Sequence, residues 1–198
     1  MNDDPVRKDR WQLFVHPAFS EPFDRLVAQI EALKRKGAAG YPSHPKTRLL
    51  KRILDLIETE IPRDPDSREY NLGNTLGPKY CHWRRAKFLD RFRLFFRYSS
   101  AHRSILYVWM NDEDSLRKAG DKNDPYALFA RGLQSGNPPD AWDELMKRAR
   151  PRKRRGRSYA ALDLGSLGSY RVSAQSCIIR DAPGRTGKAA ARFGRASA

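Results

Sequence analysis

WRRAKFLDRFRLFFRYSSAHRSILYVWMNDED, residues Trp83 to Asp114, reads as a succession of β-strands. Between Arg91 and Tyr98 the side chains alternate, with Phe92, Leu94, Phe96 and Tyr98 on one face and Arg91, Arg93, Phe95 and Arg97 on the other. That period of two marks a strand with one face in a core. One strand earlier, Arg85 and Lys87 keep the same spacing ahead of a bend at Leu89-Asp90, so two neighbouring strands aim cations into one patch. After a polar turn at Ser99 to Arg103, the apolar run Ile105 to Met110 has the composition of a central strand buried on both faces. An antiparallel sheet with one cationic face suits a polyanion.

Toward the N-terminus, Trp11 to Phe19 is β-prone until His16-Pro17, where proline cannot donate to a ladder, so a first strand ends near His16. Ser20 offers an N-cap for a helix whose apolar stripe is Phe23, Leu26, Val27, Ile30 and Leu33 and whose end is signalled by Lys34 to Gly37. Beyond a Gly/Pro connector at Ala38 to Pro45, a second helix sets Leu49, Leu50, Ile53, Leu54 and Ile57 on one stripe and is expected to stop at Pro62. Ile61 to Tyr80, rich in Pro, Asp, Asn and Gly, is a loop. Toward the C-terminus, Ser115 to Lys118 and Pro125 to Leu133 read as short helices, and SGNPPDAW as a turn that packs Trp142 back. The expected architecture is an α+β domain over residues 8–149. It has an antiparallel sheet of about four strands, two N-terminal amphipathic helices on one face, short C-terminal helices, and its cationic face open.

The chain has 198 residues and a formal net charge of +16, enough length for one hydrophobic core with extensions. Twelve Lys and Arg and two Asp lie from Arg150 onward, so residues 150–198 carry +10 of that excess. Their PRKRRGRS run, Ala/Gly/Ser bias and lack of periodicity describe a disordered basic tail with a short apolar island at Cys177 to Ile179. Such a tail tethers a polyanion non-specifically, with an affinity that falls steeply with salt. Cys81 and Cys177 are too far apart and too unlike in context for a disulfide framework or a zinc knuckle. The four histidines are scattered, with only His82 beside the basic strand, so a two-histidine ribonuclease mechanism is unsupported, and no metal or cofactor is expected. MNDDPVRKDRW has no apolar segment behind it, and no window approaches the ~20 apolar residues of a membrane span. These features lead us to expect an unsecreted cytoplasmic protein with no membrane partner.

Several strings carry more information together than alone: W-x-L-F-x-H-P-x-F at Trp11 to Phe19, RAKF at Arg85 to Phe88, RFRLFFRY at Arg91 to Tyr98, WMNDEDSLR at Trp109 to Arg117, and K-x-D-x-Y at Lys122 to Tyr126. In order and spacing they span Trp11 to Leu145 and resemble the YhaV family of bacterial type II toxins, ribonucleases of the RelE-like superfamily. The resemblance implies a RelE-like domain that cleaves mRNA, on the ribosome or off it, and so stops translation and growth. It also implies neutralisation by a small antitoxin with an AbrB-like DNA-binding domain, the pair repressing their own operon through operator DNA. The tail after Arg150 has no counterpart in this resemblance, and self-association into a homo-oligomer is left open. Rival readings are a non-catalytic nucleic-acid-binding repressor, a ribosome-associated protein, and a remnant whose active site has decayed.

Metal-independent RNA cleavage requires the 2′-OH to lose its proton, the leaving 5′-oxygen to gain one, and the charge at phosphorus to be stabilised. A guanidinium offers forked, permanently charged donors for the last task, which suits Arg93 together with Arg91 or Arg97. Arg85 and Lys87 orient the chain, or Lys87 serves as the base. The RelE-like pattern implies a cationic site at the positions matched by Arg85, Lys87 and Arg93. That pattern also implies an arginine at the end of the last strand, where this chain has Asn111, Asp112, Glu113 and Asp114. Either Asp112 acts as base or Arg117 on the following turn replaces the missing cation. Tyr126 stacks a base or donates a proton, whereas Tyr107 lies in the buried run and is the poorer choice. The catalytic candidates are therefore Arg85, Lys87, Arg93, Asp112 and Tyr126, with Arg84, Arg91, Arg97, Arg117 and Lys118 as RNA-binding candidates. Plainer readings stand beside these. An arginine-rich strand face is often a solvated surface, Asp112 to Asp114 a strand-end turn, the tryptophans core residues, and His16 a cap.

Overall fold

Leu89 and Asp90 take positive φ angles of 42° and 56°, closing the turn between strands β2 (Arg84–Phe88) and β3 (Phe92–Ser99) where the sequence placed a bend. Our computed structural model describes residues 11–37 and 40–152. In the β2–β3 pair Lys87 stands opposite Arg93 and Arg85 opposite Phe95. β3 continues antiparallel to β4 (Ser104–Met110), which accepts β1 (Gln12–Val15) in parallel on its other side. A short β5 (Arg150–Pro151) closes the edge, giving the order β2-β3-β4-β1-β5. The sheet is thus mixed and five-stranded, where an antiparallel sheet of about four strands was expected. The chain passes through both N-terminal helices and the β2–β3 hairpin between β1 and β4, and a connection of that length permits parallel pairing.

A register shift at Phe95/Phe96 places Trp109 opposite Phe95 and Tyr107 opposite Phe96. The bulge re-aims β4, so that Ile105, Tyr107 and Met110 join one core while Leu106 and Val108 join the other. The central strand is buried on both faces, as its composition requires.

Two helices pack over the first face. α1 (Pro17–Arg35) begins three residues ahead of Ser20, because His16 is its N-cap: the imidazole Nδ1 accepts from the Ala18 amide at 3.2 Å, and Pro17 occupies the first turn. α2 (Pro45–Asp55) repeats the device with His44, whose Nδ1 accepts from the Lys46 amide at 3.2 Å. The helical path runs past the expected stop at Pro62, through a π turn at Leu56–Glu60 and a single turn, α3 (Ile61–Arg63). Proline lacks the N–H and crowds the carbonyl four residues back, and a widened turn relieves both faults. Within that turn the Tyr107 hydroxyl donates to the Ile57 carbonyl at 2.6 Å. Phe19, Ile30, Leu50, Ile53 and Ile57 meet Leu94, Phe96 and Tyr107 to form this core.

The second face is covered, which corrects the expectation of an open cationic surface. Phe95 lies between Arg93 and Arg97 on β3 and stacks on Phe129 of α4 (Pro125–Ser135), with ring centroids 4.1 Å apart. Trp83, Leu106, Val108, Tyr126 and Leu133 complete this core, with Leu145 of α5 (Trp142–Arg148). Phe95 among the arginines, with Leu106, Val108 and Trp109 of β4, gives the apolar surface over which α4 packs. The helix expected at Ser115 to Lys118 is instead one 3₁₀ turn at Glu113–Ser115, and Leu116 beyond it is extended. The sheet takes in Arg150 and Pro151, which the sequence reading assigned to the tail. Arg152 follows them in: its amide donates to the Leu13 carbonyl at 2.7 Å and its guanidinium to Glu58 at 2.9 Å. Residues 153–198, with the expected tail and the Cys177 to Ile179 island, lie outside the described residues. Among the described residues no helix is long and apolar enough to cross a membrane.

Candidate active site

At the β2–β3 turn the apolar cover ends and cations gather. Arg85 and Lys87, two residues apart on β2, share the α4 side of the sheet, and Lys87 is exposed. Arg85 is buried beneath it. Its Nη1 donates to the Tyr126 hydroxyl at 2.5 Å and its Nη2 to the Asn71 carbonyl at 3.2 Å. The Arg85 guanidinium lies 5.8 Å from the Tyr126 ring centroid and that of Arg117 lies 5.1 Å from it. Tyr126 is only 7% exposed and meets Phe95 edge to face, so little ring surface is left on which a base could stack. Its hydroxyl accepts from a charged donor, which leaves the phenolic proton for another acceptor.

Asp124 positions this tyrosine. As N-cap of α4 its carboxylate accepts from the Tyr126 amide at 3.0 Å, and it also accepts from the Lys118 amide at 2.9 Å and pairs with the Arg117 guanidinium. Asp124 stands inside the K-x-D-x-Y string, and an Asp-Pro pair is a recognisable helix start. The sequence reading did not single out Asp124; that signal could have located the cap, but not its ion pair with Arg117.

Asn111 ties the turn to this cluster. It is buried, its Oδ1 accepts from the Arg93 amide at 2.6 Å, and its Nδ2 donates to the carbonyls of Ser115 at 2.9 Å and Arg91 at 3.3 Å. Arg91 and Arg117 are laced together by two bonds, the Arg117 amide to the Arg91 carbonyl at 3.0 Å and the Arg91 Nε to the Arg117 carbonyl at 3.2 Å. The segment that departs from the implied pattern therefore builds the bracket holding Arg91 and Arg117. Arg117 stands at the tyrosine, its guanidinium 5.1 Å from the ring centroid.

The other candidates separate. Arg93 is 7% exposed, and its Nη1 donates to the carbonyls of Asp90 at 2.9 Å and Phe92 at 2.7 Å, so it braces the hairpin turn from within. Asp112 caps the 3₁₀ turn, accepting from Ser115 Oγ at 2.6 Å and the Asp114 amide at 3.2 Å. It borders a cavity of about 250 Å³ beside Leu26, Leu49, Phe92 and Met110, on the α1/α2 side of the sheet and away from Tyr126. Arg97 lies at the far end of β3 between the rings of Trp83 and Trp142, 5.6 Å from each, and donates to the Asp140 carbonyl at 2.6 Å. Burial there holds its pKa below the usual guanidinium range. Arg84 faces the opposite way from Arg85, bonded to Asn71 and Asp66. Lys118 is exposed and pairs with Asp121 at 3.2 Å. Of the ten candidates, Arg85, Lys87, Arg91, Arg117 and Tyr126 are drawn to one rim, with Arg93 beneath it. Among the described residues no group of three or more His, Cys, Asp or Glu side chains is placed to hold a metal ion.

A family of toxins with endonuclease activity, belonging to toxin-antitoxin systems, matches residues 13–150. The chain belongs to the YhaV toxin family. Toxin YhaV of Escherichia coli O6:H1 is 43% identical over 145 residues, covering 72% of this chain and 94% of that protein. Ribonuclease toxin YhaV of Escherichia coli K12 is 42% identical over 147 residues, covering 73% of this chain and 96% of that one. No solved structure matches the chain. The family match ends at residue 150, the first residue of β5.

Proposed function

We propose that this chain is the endoribonuclease toxin of a type II toxin-antitoxin pair and cleaves mRNA without a metal ion at the rim around Tyr126. One observation carries the assignment of the site: a phenol that accepts a 2.5 Å bond from Arg85 while Arg117 lies against its ring. Exposed Lys87 and Arg91, with Arg117, form the outer layer that grips the scissile phosphate. As the 2′-oxygen bonds to phosphorus and releases its proton to water, Tyr126 donates its own proton to the departing 5′-oxygen, and Arg85 stabilises the phenolate that results. Arg93 supports the layer from below by fixing the turn.

The reading extends to a RelE-like fold and to a cognate AbrB-like antitoxin that neutralises the toxin and, with it, binds operator DNA. Cytoplasmic mRNA, free or on the ribosome, is the substrate. Membership of a toxin-antitoxin family and a net charge of +16 support these partners.

The test is incubation of wild type and Tyr126→Phe with a long unstructured RNA in EDTA, with and without ribosomes, followed by mapping of new ends. Wild type is expected to leave 5′-OH and 2′,3′-cyclic phosphate ends, and the variant to be slower by about 10²–10⁴-fold, the usual contribution of a positioned proton donor. Cleavage by Tyr126→Phe at the wild-type rate would remove the tyrosine from the reaction. RNA binding without cleavage under both conditions would leave a non-catalytic repressor or ribosome-associated protein.

A further inference from the structure

On the α1/α2 side of the sheet, at the end away from the β2–β3 turn, a cavity of about 380 Å³ opens between the segment ahead of β1, the turn after α3 and the β3–β4 turn. Trp11 and Tyr98 meet edge to face in its wall, with centroids 5.9 Å apart at 86°. Arg63, Asp64, Asp66 and Arg103 stand around it, all exposed. Arg84 lies against the same Tyr98, 5.6 Å from the ring centroid, and is ion-paired with Asp66.

We infer that this cavity is a second RNA subsite, which takes one nucleobase of a single-stranded substrate. The inference rests on the ribonuclease reading. Each part of the lining matches one part of a nucleotide. Half-buried aromatic rings offer the surface on which bases stack in single-strand binders, and guanidinium groups beside them receive phosphate. Carboxylates repel phosphate but accept N–H from a base edge, as Asp and Glu do with cytosine N4. A mixed acidic and basic rim around aromatic rings therefore reads a base, where a uniformly basic one would hold only backbone. A volume of about 380 Å³ falls within the range of small-ligand sites.

The cavity is also joined to the rim around Tyr126. Arg84 and Arg85 are neighbours on β2 that point to opposite faces, and Asn71 holds both, its side-chain oxygen accepting from Arg84 and its backbone carbonyl from Arg85. RNA leaving the scissile position has only to turn around the β2 edge, past exposed Lys87, to bring a flanking base to Trp11 and Tyr98. Five residue steps along β3 from Arg93 to Tyr98 set that span at roughly 17 Å, beyond the reach of a dinucleotide lying across the rim.

The experiment compares wild type, Trp11→Ala and Arg63→Glu on two RNAs: a dinucleotide and a single strand of about 12 nucleotides, within the site sizes of single-strand binders. Binding is read by fluorescence anisotropy with the longer strand made uncleavable by 2′-O-methyl groups. Cleavage is read on both unmodified RNAs. Trp11→Ala is expected to weaken binding of the longer strand about tenfold, as loss of one stacked base does, and to leave dinucleotide cleavage unchanged. Arg63→Glu, at an exposed position, is expected to weaken the longer strand in the same direction and to reduce its salt dependence. Should Trp11→Ala fail to fold, Arg63→Glu decides. Unchanged affinity for the longer strand in the folded variants, with wild type binding and cleaving normally, would overturn the subsite alone. Wild type that neither binds nor cleaves RNA would overturn the ribonuclease reading, and the subsite with it.

Discussion

Replacing Asn111 by alanine should cost more stability than a single side-chain amide suggests. The residue is 1% exposed and joins β3, β4 and the 3₁₀ turn. Without its side chain, the Arg93 amide and the Ser115 carbonyl lose partners at 2.6 and 2.9 Å. The Arg91 carbonyl keeps the Arg117 amide at 3.0 Å and so is not orphaned. Two buried groups left unpaired, at about 1–3 kcal/mol each, give a loss near 3 kcal/mol, a large share of the roughly 5–15 kcal/mol that holds a domain together. With a urea m-value of about 2 kcal/mol/M, the midpoint should fall by about 1.5 M. The assay is equilibrium urea unfolding followed by far-UV circular dichroism, with m compared between wild type and variant. A shift under about 0.3 M at unchanged m would show that water or a relaxed backbone replaces the amide, and the bracket would lose its role in fixing Arg91 and Arg117.

Lys87→Ala removes an exposed side chain from β2, so its unfolding midpoint should stay within about 0.5 kcal/mol of wild type while RNA cleavage falls and the salt slope of binding drops by about 1; an unchanged slope would take Lys87 off the RNA path. Arg97→Ala should do the opposite, losing about 2–3 kcal/mol through its bond to Asp140 and its contacts with Trp83 and Trp142 and keeping the salt slope, so a normal melting temperature with a reduced slope would return Arg97 to the RNA. His16 supplies a pH test. Burial, reinforced by Arg148, holds its pKa below the ordinary 6.5, so the unfolded chain binds the proton more readily and stability falls as pH drops from about 6.5 toward the folded value. Protonation also takes the Nδ1 lone pair that caps α1. His16→Asn keeps an N-cap acceptor and does not titrate, so its thermal stability should decline less between pH 7 and 5; parallel decline would place the acid sensitivity elsewhere.

Arg93→Ala is a poor probe of chemistry, although Arg93 is one of the catalytic candidates of the sequence. Its guanidinium braces the carbonyls of Asp90 and Phe92, so lost activity would mix catalysis with a loosened turn. Tyr126→Phe and Lys87→Ala separate the two, because one keeps the ring in its core and the other touches no core.

What the sequence determined by itself is local. Alternation along β3, the unbroken apolar run of β4, the helical stripes through Ile30 and Ile53, and the short helix from Pro125 are short-range patterns set by backbone periodicity, and each is present where the residues placed it. Arg85 and Lys87 could be named as candidates from their spacing on a basic strand as well as from the resemblance, and Tyr126 because Tyr107 lies in the apolar run. Tertiary structure decided how those patterns meet. Periodicity says which residues share a face but not what covers it, so Phe95 among the arginines gave no measure of how completely α4 would close over them. The same limit hid the sorting of the cations. Arg84, Arg85, Arg93 and Arg97 are alike as letters, yet one pairs with Asp66, one holds a phenol, one braces a turn and one lies between two indoles. Those partners come from segments distant in the chain, and a guanidinium takes its role from whichever carbonyl, carboxylate or ring the fold brings within reach.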